Sequence, residues 1–140
     1  MTAFIYGVII TLSMNIYTLI AAISGLITVI LGALSDHVLH LMPGTLAKAV
    51  FTTASRYQMW HTVVLLALGL YFQKINAPRL MKLSAGLFTL GIVLFSGCIY
   101  LNLFTGIHGF VYAVPFGGMS FILGWAILIL AVSMNIKREK

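Results

Sequence analysis

The chain has 140 residues, 61% of them hydrophobic and 7% charged, with a mean hydropathy of +1.11 and a net charge of +6. That length leaves room for one domain, residues 1–140, and the composition excludes a soluble globular one, in which roughly 25% of residues carry charge. The eight basic residues are scattered or terminal instead of sharing one amphipathic face, so they read as orienting a membrane protein and not as a nucleic-acid surface.

The first thirteen residues are apolar, but they lack a basic leading segment and a small-residue cleavage motif. No cleaved signal peptide is read there, and Met14 stands beside Met1 as a candidate start. A bilayer core about 30 Å thick takes roughly 20 apolar residues per helix, and the chain supplies four such segments. The first is predicted over Ile16–Leu39 and carries near its end the sequence's one aspartate, Asp36, together with His37 and His40. The breaker Leu41-Met42-Pro43-Gly44 follows, then a short helix from a Thr45 cap to Arg56. The second span, Tyr57–Gln73, is barely long enough, which predicts that Arg56 snorkels to the interface. Lys74 to Lys82 is a polar connection turning at Asn76-Ala77-Pro78, and the third span runs over Leu83–Phe104. Because no charge then appears until Lys137, Thr105-Gly106-Ile107-His108-Gly109 must turn the chain. The fourth span follows over Val111–Met134, with Pro115 in its first turns, where a missing amide hydrogen costs least.

Four spans place both termini on one side with the loop between spans two and three. That side holds Lys74, Arg79, Lys82, Lys137, Arg138 and Lys140, against Lys48 and Arg56 on the other, which predicts cytoplasmic termini. The basic tail suits contact with anionic headgroups. Asp36, His37, His40, Arg56 and His108 then fall at the outward end, with His61 about a turn inside. Small residues at spacings of three, four and seven predict close helix packing with left-handed crossings. Ala21, Gly25, Thr28, Gly32 and Ser35 form one stripe on span one. Ser84, Gly91, Cys98 and Thr105 repeat along span three, and Ala113, Gly117, Ser120 and Gly124, with Ala131, along span four. The competing use of one such stripe is a homo-oligomer face.

Four local strings, Gly32-Ala33 with His37 and Leu39, Tyr57-Gln58 with His61, Leu94-Phe95-Ser96-Gly97 with Tyr100, and Pro115 with Gly117-Gly118 and Gly124-Trp125, occur in this order. In them the chain resembles the small bacterial inner-membrane proteins called domain of unknown function 423, or uncharacterised protein family 0382, whose eukaryotic relative is transmembrane protein 256. The resemblance covers about residues 21–134 and implies a four-helix inner-membrane protein, with no established activity to carry over. Where the family has a small pair before the histidine, this chain has Ser35-Asp36, and no family motif includes His40 or His108.

Ionisable groups at membrane depth are functional candidates by default. Asp36 and His40 stand four apart and His37 and His40 three apart, so either pair converges on a continuing helix. The structural reading pairs Asp36 with Arg56, and gives His61 a hydrogen bond to a neighbouring helix, with Tyr57 one turn away on the same face. The alternative is an outward-facing metal, haem or quinone site built from His37 and His61 with Asp36 and His40. Cys98 reads as a packing residue, and Ser96-Gly97-Cys98 lacks a neighbouring base for nucleophilic chemistry. Trp125 is placed in the bundle, and Trp60 and several tyrosines are interface anchors. The reading is an all-α integral membrane four-helix bundle with a short helix between spans one and two. It has no enzymatic activity and no cofactor of its own, and is a lipid-contacting, packing or accessory protein, as an oligomer or within a larger membrane complex. A transporter or channel would require the broken helix pairs and inverted repeat that this sequence lacks.

Overall fold

The computed structural model describes residues 15–41, 45–74 and 77–138, apart from the side chains of residues 35–41, 45 and 135–138. Met1, Met14, the breaker at 42–44, Asn76 and Glu139-Lys140 lie outside the described residues, as do the side chains of Asp36, His37, His40, Lys137 and Arg138. The described chain is all-α. It comprises α1 (Ile16–Leu41), α2 (Thr45–Lys74), α3 (Arg79–Gly91), a π-helical turn π1 (Ile92–Gly97), α4 (Cys98–Thr105), a 3-10 segment (His108–Ala113) and α5 (Val114–Arg138). α3, π1 and α4 form one continuous third helix. Among the described residues, three stretches are long and apolar enough to cross a membrane: Ile16–Leu34, Arg79–Thr105 and His108–Met134.

Local chemistry explains the boundaries. Asn15 caps α1, its Oδ1 accepting the Tyr17 amide at 2.9 Å. α4 stops at Gly106, whose φ of 70° is a left-handed conformation open to glycine, and whose amide donates to the Asn102 carbonyl at 2.9 Å. Asn102 then ties the turn by donating to the Ile107 carbonyl at 3.2 Å. Pro115 occupies the second position of α5, as its missing donor requires.

α2 departs from expectation. Thr45–Arg56 is not a separate short helix but the first part of a 30-residue element, about 45 Å long at 1.5 Å per residue. Arg56, read as the boundary, is one residue of an exposed face with Met59 and Trp60, whereas Gln58, His61 and Thr62 are buried. A helix whose polar groups face its neighbours can lie in a bundle without being apolar throughout, which is why α2 is absent from the three apolar stretches.

α1 packs on α2, α3 packs on α5, and π1 touches both α2 and α5. Small residues set how closely these helices approach. A Cβ at Gly117 would collide with the backbone of Leu94 and Phe95 in π1, one at Gly91 with the Phe121 ring, and one at Gly124 would stand 2.7 Å from the Phe88 ring. Hydroxyls close the same seams: Ser84 Oγ donates to the Gly124 carbonyl and Ser96 Oγ to the Ala54 carbonyl, both at 2.8 Å. Gly69, outside every predicted stripe, brings α2 against α1, where a Cβ would stand 2.7 Å from the Thr18 amide nitrogen. On α1 the buried line is Ala21, Ser24 and Thr28. Gly25 is looser, since a Cβ there would meet Thr62 at an ordinary 3.7 Å, and Gly32 is exposed with nothing within 4 Å of that position.

The glycines therefore separate by function. Gly117→Ala, which has rigid backbone to displace, is expected to destabilise the bundle by about 1–3 kcal/mol. Gly25→Ala is expected to lie within about 1 kcal/mol of the parent, on the stabilising side because alanine favours the helix. Reversible unfolding in mixed detergent micelles checks both.

Candidate functional site

Two polar constellations occupy the interior, and α2 carries both. In the first, the Gln58 amide nitrogen donates to the Ser24 carbonyl at 3.1 Å and lies 3.2 Å from the Ser24 hydroxyl, which joins it to α1. Its amide oxygen accepts the Tyr100 hydroxyl of α4 at 3.0 Å. Ser24 and Thr62 share a hydrogen bond of 2.7 Å, and Thr28 donates back to the Ser24 carbonyl at 2.9 Å. Gln58 is 3% exposed and Tyr100 7%, so one glutamine cross-links three helices in the buried interior. Among the described residues no buried side-chain nitrogen or oxygen lacks a partner, as a lipid environment demands.

The second constellation surrounds His61. Its ring stacks on Phe121, with centroids 3.6 Å apart and planes 13° from parallel, and meets Phe88 and Tyr57 on other sides. Nδ1 lies 2.7 Å from the Tyr57 carbonyl oxygen, and Nε2 lies 3.2 Å from the Trp125 indole nitrogen. An indole N–H only donates and a carbonyl only accepts. His61 is therefore the neutral Nδ1–H tautomer, donating to its own helix and accepting from α5, and both ring nitrogens are engaged. Tyr57 contributes its carbonyl to His61, while its ring packs against Phe95 and Phe121.

This register revises the outward-facing cluster. Ser24 pairs with Gln58 and Thr62, so His61 stands level with Ser24, and near the middle of the fourth helix through Phe121 and Trp125. His37 is thirteen residues farther along the continuous α1, about 20 Å away at 1.5 Å per residue. The backbones of His37 and His61 stand at different depths, because α2 begins at Thr45 and its extra turns carry His61 to mid-depth. By the same register Asp36 stands level with Lys48 and not with Arg56, which is exposed. The side chains of Asp36, His37 and His40 lie outside the described residues, and His108 is exposed in the 3-10 segment. Among the described residues no three potential metal ligands gather.

A ranking by ionisable groups misses Gln58, Tyr100, Ser24 and Thr62. The signal for them was present in the strings Tyr57-Gln58 and Ser96-Gly97 with Tyr100, as neutral polar residues in otherwise apolar helices. Beside Gln58 a groove of about 530 Å³ opens on the bundle surface between α1 and the third helix. Ile23, Ile27 and Leu31 form one wall, Ile92, Val93 and Leu101 the other, and Ser24, Gln58 and Tyr100 lie at its floor. The floor polar groups are turned into one another, so the groove is apolar in character.

A family model described as "Protein of unknown function (DUF423)" matches residues 31–118. The chain is 34% identical over 119 residues to the UPF0382 inner membrane protein YgdD of Escherichia coli (strain K12), covering 85% of this chain and 89% of the relative. It is 35% identical over 111 residues to a UPF0382 membrane protein of Haemophilus influenzae, covering 79% and 88%. To the UPF0382 membrane protein YwdK of Bacillus subtilis it is 30% identical over 118 residues, covering 84% and 96%. No solved structure matches the chain.

Two measurements check the interior. Tyr100→Phe and Gln58→Leu are expected to be strongly non-additive, with a coupling of about 0.6–1.7 kcal/mol in a double-mutant cycle. Nitrogen-15 spectra of the imidazole are expected to report the Nδ1–H tautomer, with the Nε2 signal moving in Trp125→Phe.

Proposed function

The chain belongs to the DUF423 family of proteins of unknown function, and we propose that it is a non-enzymatic, lipid-contacting accessory protein of the bacterial inner membrane that seats one aliphatic lipid chain in its lateral groove. The single observation that carries this reading is the groove itself. Its volume of about 530 Å³ falls within the 300–1,000 Å³ of ordinary ligand sites, and its walls are aliphatic. Along α1 it extends from Ile20 to Leu31, about 16 Å of helix, which matches the roughly 15 Å depth of one leaflet of the hydrocarbon core. A chain lying there touches α1, α2 and the third helix together, whereas a chain on a convex helix face touches one helix.

The floor argues against a polar group lying within the groove, such as a quinone ring. A quinone carbonyl needs a hydrogen-bond donor, and the amide of Gln58 and the hydroxyl of Tyr100 already donate to Ser24 and Gln58. The non-enzymatic part of the reading is supported by the same commitment of groups: Ser96 donates to a carbonyl and both nitrogens of His61 are engaged. We place the termini in the cytoplasm, on the excess of lysine and arginine at that end, and the protein within a larger membrane assembly.

A photoactivatable acyl chain in reconstituted vesicles tests the reading. Labelling is expected to concentrate on Ile23, Ile27 and Val93 in the groove over Ile122 and Ile129 on the outer face of α5, which are at least as exposed. Val93→Trp is expected to remove that excess while the protein remains folded. Uniform labelling of all apolar faces would sink the proposal.

A further inference from the structure

We infer that the lipid held in the groove is an anionic phospholipid, with its phosphate at the basic end formed by Lys82, Arg79 and Lys74. This rests on the reading of the groove as an acyl-chain site and adds the headgroup.

Three observations place the headgroup. First, α1 and the third helix are joined at one end of the groove, where the Tyr17 hydroxyl donates to the Lys82 carbonyl at 3.2 Å and stands 4.0 Å from the Cβ position of Gly86. The groove opens one turn farther in, at Ile20 on α1 and Thr89 on α3. Second, Lys82 and Thr89 are seven residues apart on α3, so they share a face, with Lys82 about 10 Å nearer the membrane surface. That offset matches the distance over which a phospholipid's glycerol and first methylenes connect phosphate to hydrocarbon. Third, the charge at this end is predominantly basic. Lys74, Arg79 and Lys82 are all exposed. Of the two acids in the sequence, Asp36 is near the far end of α1, and Glu139 is outnumbered in the sequence by its neighbours Lys137, Arg138 and Lys140. At the other end the groove is lined by Leu31 and Phe104, and the bases there, Lys48 and Arg56, are on α2 and fewer, with Asp36 level with Lys48.

An anionic lipid therefore finds its phosphate and its chain satisfied together, and it enters from the leaflet on the basic side. A zwitterionic lipid with the same chains fits the groove but gains less at the mouth, since each basic residue near an anionic headgroup contributes about a fivefold change in affinity.

The test uses the full-length protein in vesicles carrying either dioleoyl phosphatidylglycerol or dioleoyl phosphatidylcholine, each with a trace of its photoactivatable form, at low and high salt. Native mass spectrometry follows retention of each lipid. The expected result is a preference for phosphatidylglycerol of at least about fivefold, weakened by salt. In Lys82→Gln with Arg79→Gln that preference should disappear while crosslinks to Ile27 and Val93 persist. In Val93→Trp, shown folded by its melting transition, crosslinking in the groove and the retained phosphatidylglycerol should be lost together. Equal retention of the two lipids would overturn the headgroup assignment and leave the groove reading standing. Retention of phosphatidylglycerol by Val93→Trp at the native level would overturn the link between headgroup and groove. Crosslinks from the groove to a second copy of the chain, or no groove labelling by either lipid, would overturn both.

Discussion

A membrane interior offers no water to a buried amide or hydroxyl, so any polar residue carried into it must be paired within the protein. Gln58 is where this constraint is tightest. A glutamine amide has donors and acceptors on opposite sides, and in this chain one side is met by Ser24 of α1 and the other by Tyr100 of α4. Those bonds fix the rotation of α2 about its axis and its register against two neighbours at once. With that register set, Thr62 falls opposite Ser24, Ala54 opposite Ser96, and His61 within reach of Trp125. Apolar packing alone would not select this arrangement, because lipid tails compete with leucine and isoleucine on equal terms.

The second determinant is close approach. The third helix must meet α2 on one side and α5 on the other, and π1 lies at that point. There the Phe95 backbone abuts Gly117 while the adjacent Ser96 reaches across to Ala54. π turns interrupt a regular helix at small cost when the surrounding contacts repay it. The aromatic cluster fills the space between these backbone contacts, with Phe121 against His61 on one side and against the tight position at Gly91 on the other. The residues of the family strings thus converge. Gln58 meets Tyr100, His61 meets Trp125, and Gly117 meets Phe95, so in this chain these residues hold the four helices together.

Much of this was legible from residue types. The helix start at Ile16, the turn at Thr105-Gly106, the place of Pro115 and the close approaches at Gly91, Gly117 and Gly124 follow from apolar length and from residues whose size or missing donor leaves few options. What was not legible depends on which face of a helix points where. Arg56 and Gln58 are two residues apart, and along the sequence Arg56 reads as the edge of a span; in three dimensions Arg56 is exposed on a continuing helix and Gln58 is buried and bonded. Reading a boundary there moved His61 to the outward end and drew it toward His37, although the continuous α1 keeps the two about 20 Å apart. π1 leaves no trace in composition, because its cause lies in two other helices. The groove is similarly invisible, being a space between α1 and the third helix that neither encodes alone.

α2 links stability to the function proposed for the groove. As an isolated segment it carries Arg56, Gln58, His61 and Thr62 within seven residues, and each of these opposes insertion into hydrocarbon. Its polar face becomes tolerable when Ser24 and Thr28 of α1 lie along it, which makes the α1–α2 pair the natural unit of insertion. The third helix then docks through Tyr100 and Ser96, which bond to Gln58 and Ala54 of α2, while Tyr17 and Lys82 join α1 to α3 near the start of α1. Beyond the Tyr17–Lys82 contact, among the described residues α1 and the third helix share no side-chain hydrogen bond, and there the groove remains. The opening to lipid is thus a consequence of where the hydrogen bonds are spent: the bundle is tied at both ends of the groove and along its floor, and its side is left for a chain that needs no partner but hydrocarbon.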